Sequence, residues 1–215
     1  MEGPAFTHGI LTGFLFAFLL LCLELNGCHG ARLINSPVVP ASVQFIKTSC
    51  GATAYPQLCF SSLSGYASEI QTNPVQLANT ALSLALTSAR SASTLLTRAS
   101  AAGGMKPRDV AAVRDCMELM GDSVDELRQS LAVMGNLGGQ KLGMQISDMQ
   151  TWVSAALTDD DTCVEGLQGG AAGAGNSGVG EVKKMVRGHV LNVAQMTSNA
   201  LALINGLVSI RSSSP

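Results

Sequence analysis

The chain has 215 residues, with 13 Lys and Arg against 15 Asp and Glu and a formal net charge of −2. This length fits one domain, or one domain and a processed segment. A nucleic-acid-binding protein needs a basic face that displaces counterions from phosphates, so this charge balance argues against that class and we predict no nucleic-acid partner.

The N-terminal segment has the pattern of a secretion signal. The apolar run Ile10–Leu21 has signal-peptide length and is shorter than the roughly 20 residues that span a bilayer. The absence of Lys and Arg from the first nine residues departs from the usual pattern. We predict a signal peptide over residues 1–30, a flexible lead-in over 31–42 and a secreted, extracellular protein with no stable membrane association after cleavage. The remaining chain would carry 13 acidic and 13 basic residues.

Two short helices are predicted next. Ser42–Cys50 can form one, Tyr55-Pro56 interrupts it, and Leu58–Ile70 can form another. These two segments would make a helical hairpin ahead of the main domain.

Four long segments follow, each with apolar residues at alternating steps of three and four. Asn73 is a candidate N-cap before Pro74, and glycines end the first two segments. The segments start near Pro74, Pro107 and Leu142, and the last carries a stripe from Val182 to Leu207. This period lets helices pack at shallow angles around a shared core. The sequence therefore predicts an all-α fold, an antiparallel up-down four-helix bundle over residues 43–208 with a polar tail over 209–215.

The cysteines indicate a disulfide-bonded protein. Two of the six fall within the predicted signal, and four remain: Cys50, Cys59, Cys116 and Cys163. Four cysteines in a secreted chain predict two disulfides with three possible connectivities. Pairing in chain order is the least strained, because the first pair flanks the hairpin turn and the second falls on two bundle helices. Because the sequence has no CxxC motif and no Cys/His cluster, we predict no metal site.

The sequence offers no catalytic group or cofactor site. Gly173–Gly178 matches G-x-G-x-x-G, but it follows a helix rather than a strand, so a flexible linker is the better interpretation. His189 falls on the apolar stripe of the last helix, which predicts a partly buried structural histidine. We therefore predict a protein that is not an enzyme and that takes no cofactor.

Acidic residues gather near the second cysteine pair. Four acidic residues follow Cys116, and the first three share a helical face: Glu118, Asp122, Asp125 and Glu126. Asp159–Asp161 precede Cys163, and Glu165 follows it. If these cysteines bond, the two acidic groups meet around the disulfide. A solvated acidic face and a partner-docking surface are both compatible with this pattern.

The cysteines and their flanks resemble the plant invertase and pectin methylesterase inhibitor family over about residues 43–208. The matching segments are Ile46–Cys50, Thr53–Pro56 with Leu58-Cys59, Asp115-Cys116 with Glu118 and Asp122–Leu127, Thr151–Thr158 with Asp161–Cys163, and Asn205–Leu207. The resemblance implies a four-helix bundle behind a helical hairpin, with one disulfide in the hairpin and one between two bundle helices. It also implies a non-covalent one-to-one complex in which the protein covers the active-site cleft of a carbohydrate-active enzyme.

The resemblance also bears on the target enzyme. Thr151–Thr158 is similar to pectin methylesterase inhibitors, whereas Gln140–Leu142 keeps only the lysine of the Pro-Lys-Phe element of invertase inhibitors. Pectin methylesterase is therefore the expected partner, and acid invertase is the alternative. Other interpretations are a module cleaved from an esterase and a helical carrier of apolar ligands.

Enzyme-facing positions of the esterase-inhibitor branch carry over to five residues of this chain. The last of them is usually Asp in the family and is Glu here, one methylene longer. The expected partner-binding residues are Glu118, Asp122, Asp125, Thr162 and Glu165.

Overall fold

A helical hairpin opens the described part of the chain. The computed structural model describes residues 39–101, 105–168 and 178–212, without the side chains of 178–181 and 209–212. Helix α1 spans Ala41–Cys50 and α2 spans Pro56–Leu63. Helix α1 starts inside the predicted lead-in, because Pro40 accepts the first helical hydrogen bond from the backbone of Gln44, at 3.0 Å.

The second predicted hairpin helix is divided into shorter pieces. After α2 the chain forms a 3₁₀ turn over Ser64–Tyr66 and then the short helix α3, Ala67–Ile70. Ser64 and Gly65 are poor helix formers, which accounts for the break at this point. The predicted continuous helix over Leu58–Ile70 is therefore wrong in detail, although every part of that segment is helical.

The bundle consists of the four long helices. They are α4 (Pro74–Ala101), α5 (Pro107–Met134), α6 (Leu142–Gln168) and α7 (Gly178–Ser212), with a 3₁₀ turn at Gly139–Lys141 before α6. Proline occupies the first turn of α4 and α5, where its missing N–H costs no helical hydrogen bond. The Asn73 side chain caps α4 as predicted, because its Oδ1 accepts the backbone N–H groups of Val75 at 2.9 Å and Gln76 at 3.2 Å.

Each long helix packs on the next one along the chain, and α7 packs back on α4. The helices therefore form a closed square, as expected of an up-down-up-down bundle. Fully buried leucine, methionine and isoleucine side chains fill its centre: Leu82, Leu96, Leu127, Met120, Met149 and Ile204. The described residues contain no β-strand, and the predicted four-helix bundle is confirmed.

The inward face of α7 differs from the predicted stripe by one residue. Val186, Val190, Val193 and Thr197 are buried, whereas His189 is exposed. The predicted partly buried His189 is therefore wrong, because the step of four from Val186 leads to Val190. The helix also continues to Ser212, into the predicted polar tail.

The hairpin is tied to the bundle by Asn199 of α7. Its buried side-chain amide donates to the backbone O of Tyr55 and accepts from the backbone N of Tyr55, both at 3.1 Å. These two hydrogen bonds fix the turn between α1 and α2.

No described helix is long and apolar enough to cross a membrane. The predicted signal over 1–30 and the glycine-rich linker from 169 to 177 lie outside the described residues.

Candidate partner-docking site

Two disulfides with the in-order pairing link the four cysteines of the described residues. Cys50 bonds Cys59 across the hairpin, with their Cα atoms 5.5 Å apart. Cys116 of α5 bonds Cys163 of α6, with their Cα atoms 4.7 Å apart, and both cysteines are buried. The second bond holds two long helices in a fixed register beneath the surface where the acidic residues lie.

All five expected partner-binding residues are exposed. Glu118, Asp122 and Asp125 lie on the outer face of α5, at successive steps of four and three. Thr162 and Glu165 lie on α6, on either side of Cys163 in the chain. The three residues of α5 and the two of α6 therefore lie on neighbouring helices that the disulfide links. We call these five residues the acidic face.

Two members of the acidic face have local partners. The Arg128 guanidinium donates to Asp125 Oδ1 at 2.6 Å, and the Thr162 hydroxyl donates to the backbone O of Thr158 at 2.7 Å. Both contacts are exposed, so a partner can replace them at little cost.

Asp160 is not at the surface, although the sequence places it among surface carboxylates. It is fully buried, and its two oxygens accept hydrogen bonds from the hydroxyls of Ser123, at 2.8 Å, and Thr197, at 2.9 Å. The carboxyl group thus joins α5, α6 and α7 beneath the acidic face. The sequence contained a sign of this burial, because Val153, Ala156 and Asp160 follow the steps of three and four that mark the core-facing residues of α6.

Burial and crowding raise the pKa values of the carboxyl groups around this network. Burial raises the pKa of Asp160 to about 7, against the opposing effect of the two hydroxyl hydrogen bonds. Burial, followed by the charges of Asp159, Asp122 and Asp160, raises the pKa of Glu126 to about 7. Burial and Asp122 also raise the pKa of Asp159. Glu126 belongs to the acidic cluster that the sequence indicates and lies next to the acidic face, but it is not among the expected partner-binding residues.

The chemistry available here is that of recognition. Among residues 39–101, 105–168 and 178–212, no group of three His, Cys, Asp or Glu side chains could hold a metal ion. The acidic face offers carboxylates and a hydroxyl on rigid, cross-linked helices, an arrangement suited to docking a partner.

Comparison with known proteins identifies similar chains. The family model for the plant invertase/pectin methylesterase inhibitor matches residues 44–203. The sequence is 44% identical over 180 residues to the 21 kDa protein of Daucus carota, covering 82% of this chain and 90% of that protein. It is 42% identical over 197 residues to pectinesterase inhibitor 11 of Arabidopsis thaliana, covering 89% of this chain and 93% of that protein.

The fold also has a counterpart among solved structures. A crystal structure of a mutant form of a pectin methylesterase inhibitor from Arabidopsis superposes with a TM-score of 0.54 at 22% sequence identity. The match covers 74% of this chain and 95% of that protein. At this identity the likeness concerns the fold alone.

Proposed function

Because this chain belongs to the plant invertase/pectin methylesterase inhibitor family, we propose that it inhibits pectin methylesterase and catalyses no reaction itself. The observation that carries the proposal is the near full-length match to a protein named pectinesterase inhibitor 11. The bundle agrees with this, because its candidate site holds carboxylates and hydroxyls rather than a nucleophile paired with a base.

The proposed mechanism is steric. One molecule of the inhibitor binds one molecule of the enzyme without covalent chemistry, and the acidic face covers the active-site cleft so that pectin cannot enter. The exposure of Glu118, Asp122, Asp125, Thr162 and Glu165 supports this role. The Cys116–Cys163 bond supports it as well, because preorganised side chains lose less conformational entropy on binding.

The proposed site of action is outside the cell. Cleavage of the predicted signal over residues 1–30 would release the chain from residue 31 onward into the cell wall, where pectin demethylation takes place. The described domain starts at residue 39, so this cleavage leaves all of its helices intact.

The test is a titration of purified pectin methylesterase with this secreted form at pH 5 and pH 7.5, with acid invertase assayed in parallel. We expect loss of esterase activity at a molar ratio of one, with tighter binding at pH 5. Covering Glu126 and Asp159 excludes water and raises their pKa values further, so binding takes up protons.

A matched pair of variants links inhibition to the acidic face. Asp122→Asn should weaken inhibition about tenfold. Asp148→Asn, an equal charge change at an exposed position near the start of α6, should leave it unchanged. Inhibition of invertase alone would replace the proposed target, and inhibition of neither enzyme would refute the proposal.

A further inference from the structure

The charged residues of the bundle are divided between two pairs of helices. Helices α5 and α6 carry eleven carboxylates and three arginines, whereas α4 and α7 carry six Lys and Arg and one carboxylate, Glu181. Helix α5 packs on α6, and α4 packs on α7. The bundle therefore has an acidic half, α5 with α6, and a basic half, α4 with α7. The near-neutral total charge conceals this division.

A shallow, open groove lies on the surface of the basic half. Five residues of α7 line it: Lys184, Met185, Gly188, His189 and Asn192. The Ser88 hydroxyl of α4 lies 3.5 Å from Asn192 Oδ1, so this side of α7 faces α4. The two helices are antiparallel, and Arg98, ten residues after Ser88, is therefore level with the first turns of α7. Lys184 and His189 are exposed in the lining of the groove, and Arg98 is exposed on α4 at this end of the bundle.

The cations at this end of the basic half differ in whether a carboxylate pairs with them. Lys183 is engaged by Asp109 of α5, with 2.7 Å between Nζ and Oδ1. None of the salt bridges formed by the described side chains includes Arg98 or Lys184. In the next turn of α7, Arg187 Nε is buried with no hydrogen-bond partner among the described residues. Lys184 and Arg98 thus present positive charge that no described side chain neutralises.

The other lining groups define what kind of anion fits. Met185 is 48% exposed beside the cations, and a Cβ added at Gly188 would meet nothing within 4 Å. A sugar ring has an apolar C–H face that can lie on Met185, and hydroxyls that can bond the Asn192 amide and the His189 ring. A carboxylate on the same ring would be placed near Lys184 and Arg98. A bare phosphate would use the charges but not the apolar surface.

We propose that the groove of the basic half binds a polyuronate, the acidic polysaccharide produced when pectin loses its methyl esters. This inference rests on the proposed function, which places the protein beside that product. The regular carboxylates of a polyuronate complement the cations of α4 and α7, and its sugar rings complement the groove. One half of the bundle then holds the inhibitor on demethylated pectin while the other half docks the esterase.

The test is binding of the chain from residue 31 onward to polygalacturonate, compared with highly methyl-esterified pectin and with neutral dextran, by affinity electrophoresis. We expect retention by polygalacturonate alone at about 0.02 M NaCl and release at about 0.5 M, because salt screens exposed charges. Arg98→Gln with Lys184→Gln should raise the Kd about tenfold. The control Lys47→Gln with Lys141→Gln removes two exposed cations outside the basic half and should bind like the unmodified protein.

Three results would overturn the inference. They are equal binding to esterified pectin, unchanged binding of Arg98→Gln/Lys184→Gln, and equal affinity for dextran sulfate or phosphatidylserine vesicles, which would indicate non-selective ion exchange. Esterase inhibition, measured in parallel, should be the same for both double variants. If the unmodified protein failed to inhibit, the proposed function would be lost separately. If only Arg98→Gln/Lys184→Gln failed to inhibit, the basic half would be the esterase-docking surface. The docking role of the acidic face and the separate polyuronate role of the basic half would then both be wrong.

Discussion

Asp160 places a carboxyl group in the core of the bundle, where its described partners are two hydroxyls and no cation. Because its pKa is raised from an ordinary value of 3.8 to about 7, the folded state holds a proton that the unfolded state releases between those pH values. The free energy of unfolding should therefore fall as pH rises from about 4 to about 7, and level off above that range. The pKa of Glu126 is also raised, so this residue adds to the fall in the free energy of unfolding with rising pH.

Replacing Asp160 by Asn removes this titration and keeps a polar group of similar size. Asp160→Asn should flatten the pH dependence of urea denaturation between pH 4 and pH 8, by about 2 to 4 kcal/mol over the range. Asp148→Asn, at an exposed position, should reproduce the slope of the unmodified protein. An unchanged slope in Asp160→Asn would show that this carboxyl group does not control the pH dependence.

Asn199 supports a second prediction at the scale of single residues. Asn199→Ala removes both hydrogen bonds to the Tyr55 backbone and leaves those groups without their partner, which should cost about 1 to 3 kcal/mol. Asn205→Ala is the control, because this exposed residue bonds only the Gln150 side chain, at 2.8 Å, and should change stability by less than about 0.5 kcal/mol. Equal midpoints in thermal unfolding would contradict the role of Asn199.

At the scale of helices, the two disulfides differ in the length of chain that they enclose. Cys116 and Cys163 are 47 residues apart in sequence, whereas Cys50 and Cys59 are 9 apart. In the chain-entropy model the longer loop contributes about 4 kcal/mol and the shorter about 3 kcal/mol. Replacing each pair by alanines should therefore lower stability more for the bundle pair, as measured by urea denaturation.

The same two variants should differ further in esterase inhibition. Loss of the Cys116–Cys163 bond frees the register of α5 and α6, so the acidic face loses its fixed geometry and inhibition should weaken even where the protein is fully folded. Loss of the hairpin bond leaves the acidic face unchanged, and inhibition should persist. The opposite order of effects would indicate that the hairpin, rather than the acidic face, is the docking element.

Much of each helix could be predicted from local chemistry, and the failures have a common cause. Asn73-Pro74 marks a helix start because capping depends on adjacent residues alone. Asp160 and His189 were misplaced because burial depends on which side of a helix meets its neighbours. Because Asp160 lies between two other aspartates, its sequence context predicts an exposed side chain. A one-residue shift of the α7 stripe places Val190 rather than His189 in the core.

At the scale of the whole molecule, total charge is a poor guide to surface charge. The balance of acidic and basic residues argues against a strongly basic face, yet the order of the helices gathers cations on α4 and α7 and carboxylates on α5 and α6. The fold itself followed from periodicity, because four apolar stripes joined by short segments admit few packings. The division of charge required knowing which helices are neighbours.

The central proposal is that the acidic half is the surface that meets the esterase. Hydrogen exchange of the inhibitor, free and in complex with pectin methylesterase, tests this directly. In the complex, we expect slower amide exchange in α5 and α6 around Cys116 and Cys163. Exchange should be unchanged in α4 and in α7 from Val182 onward. Protection confined to α4 and α7, with α5 and α6 unaffected, would contradict it.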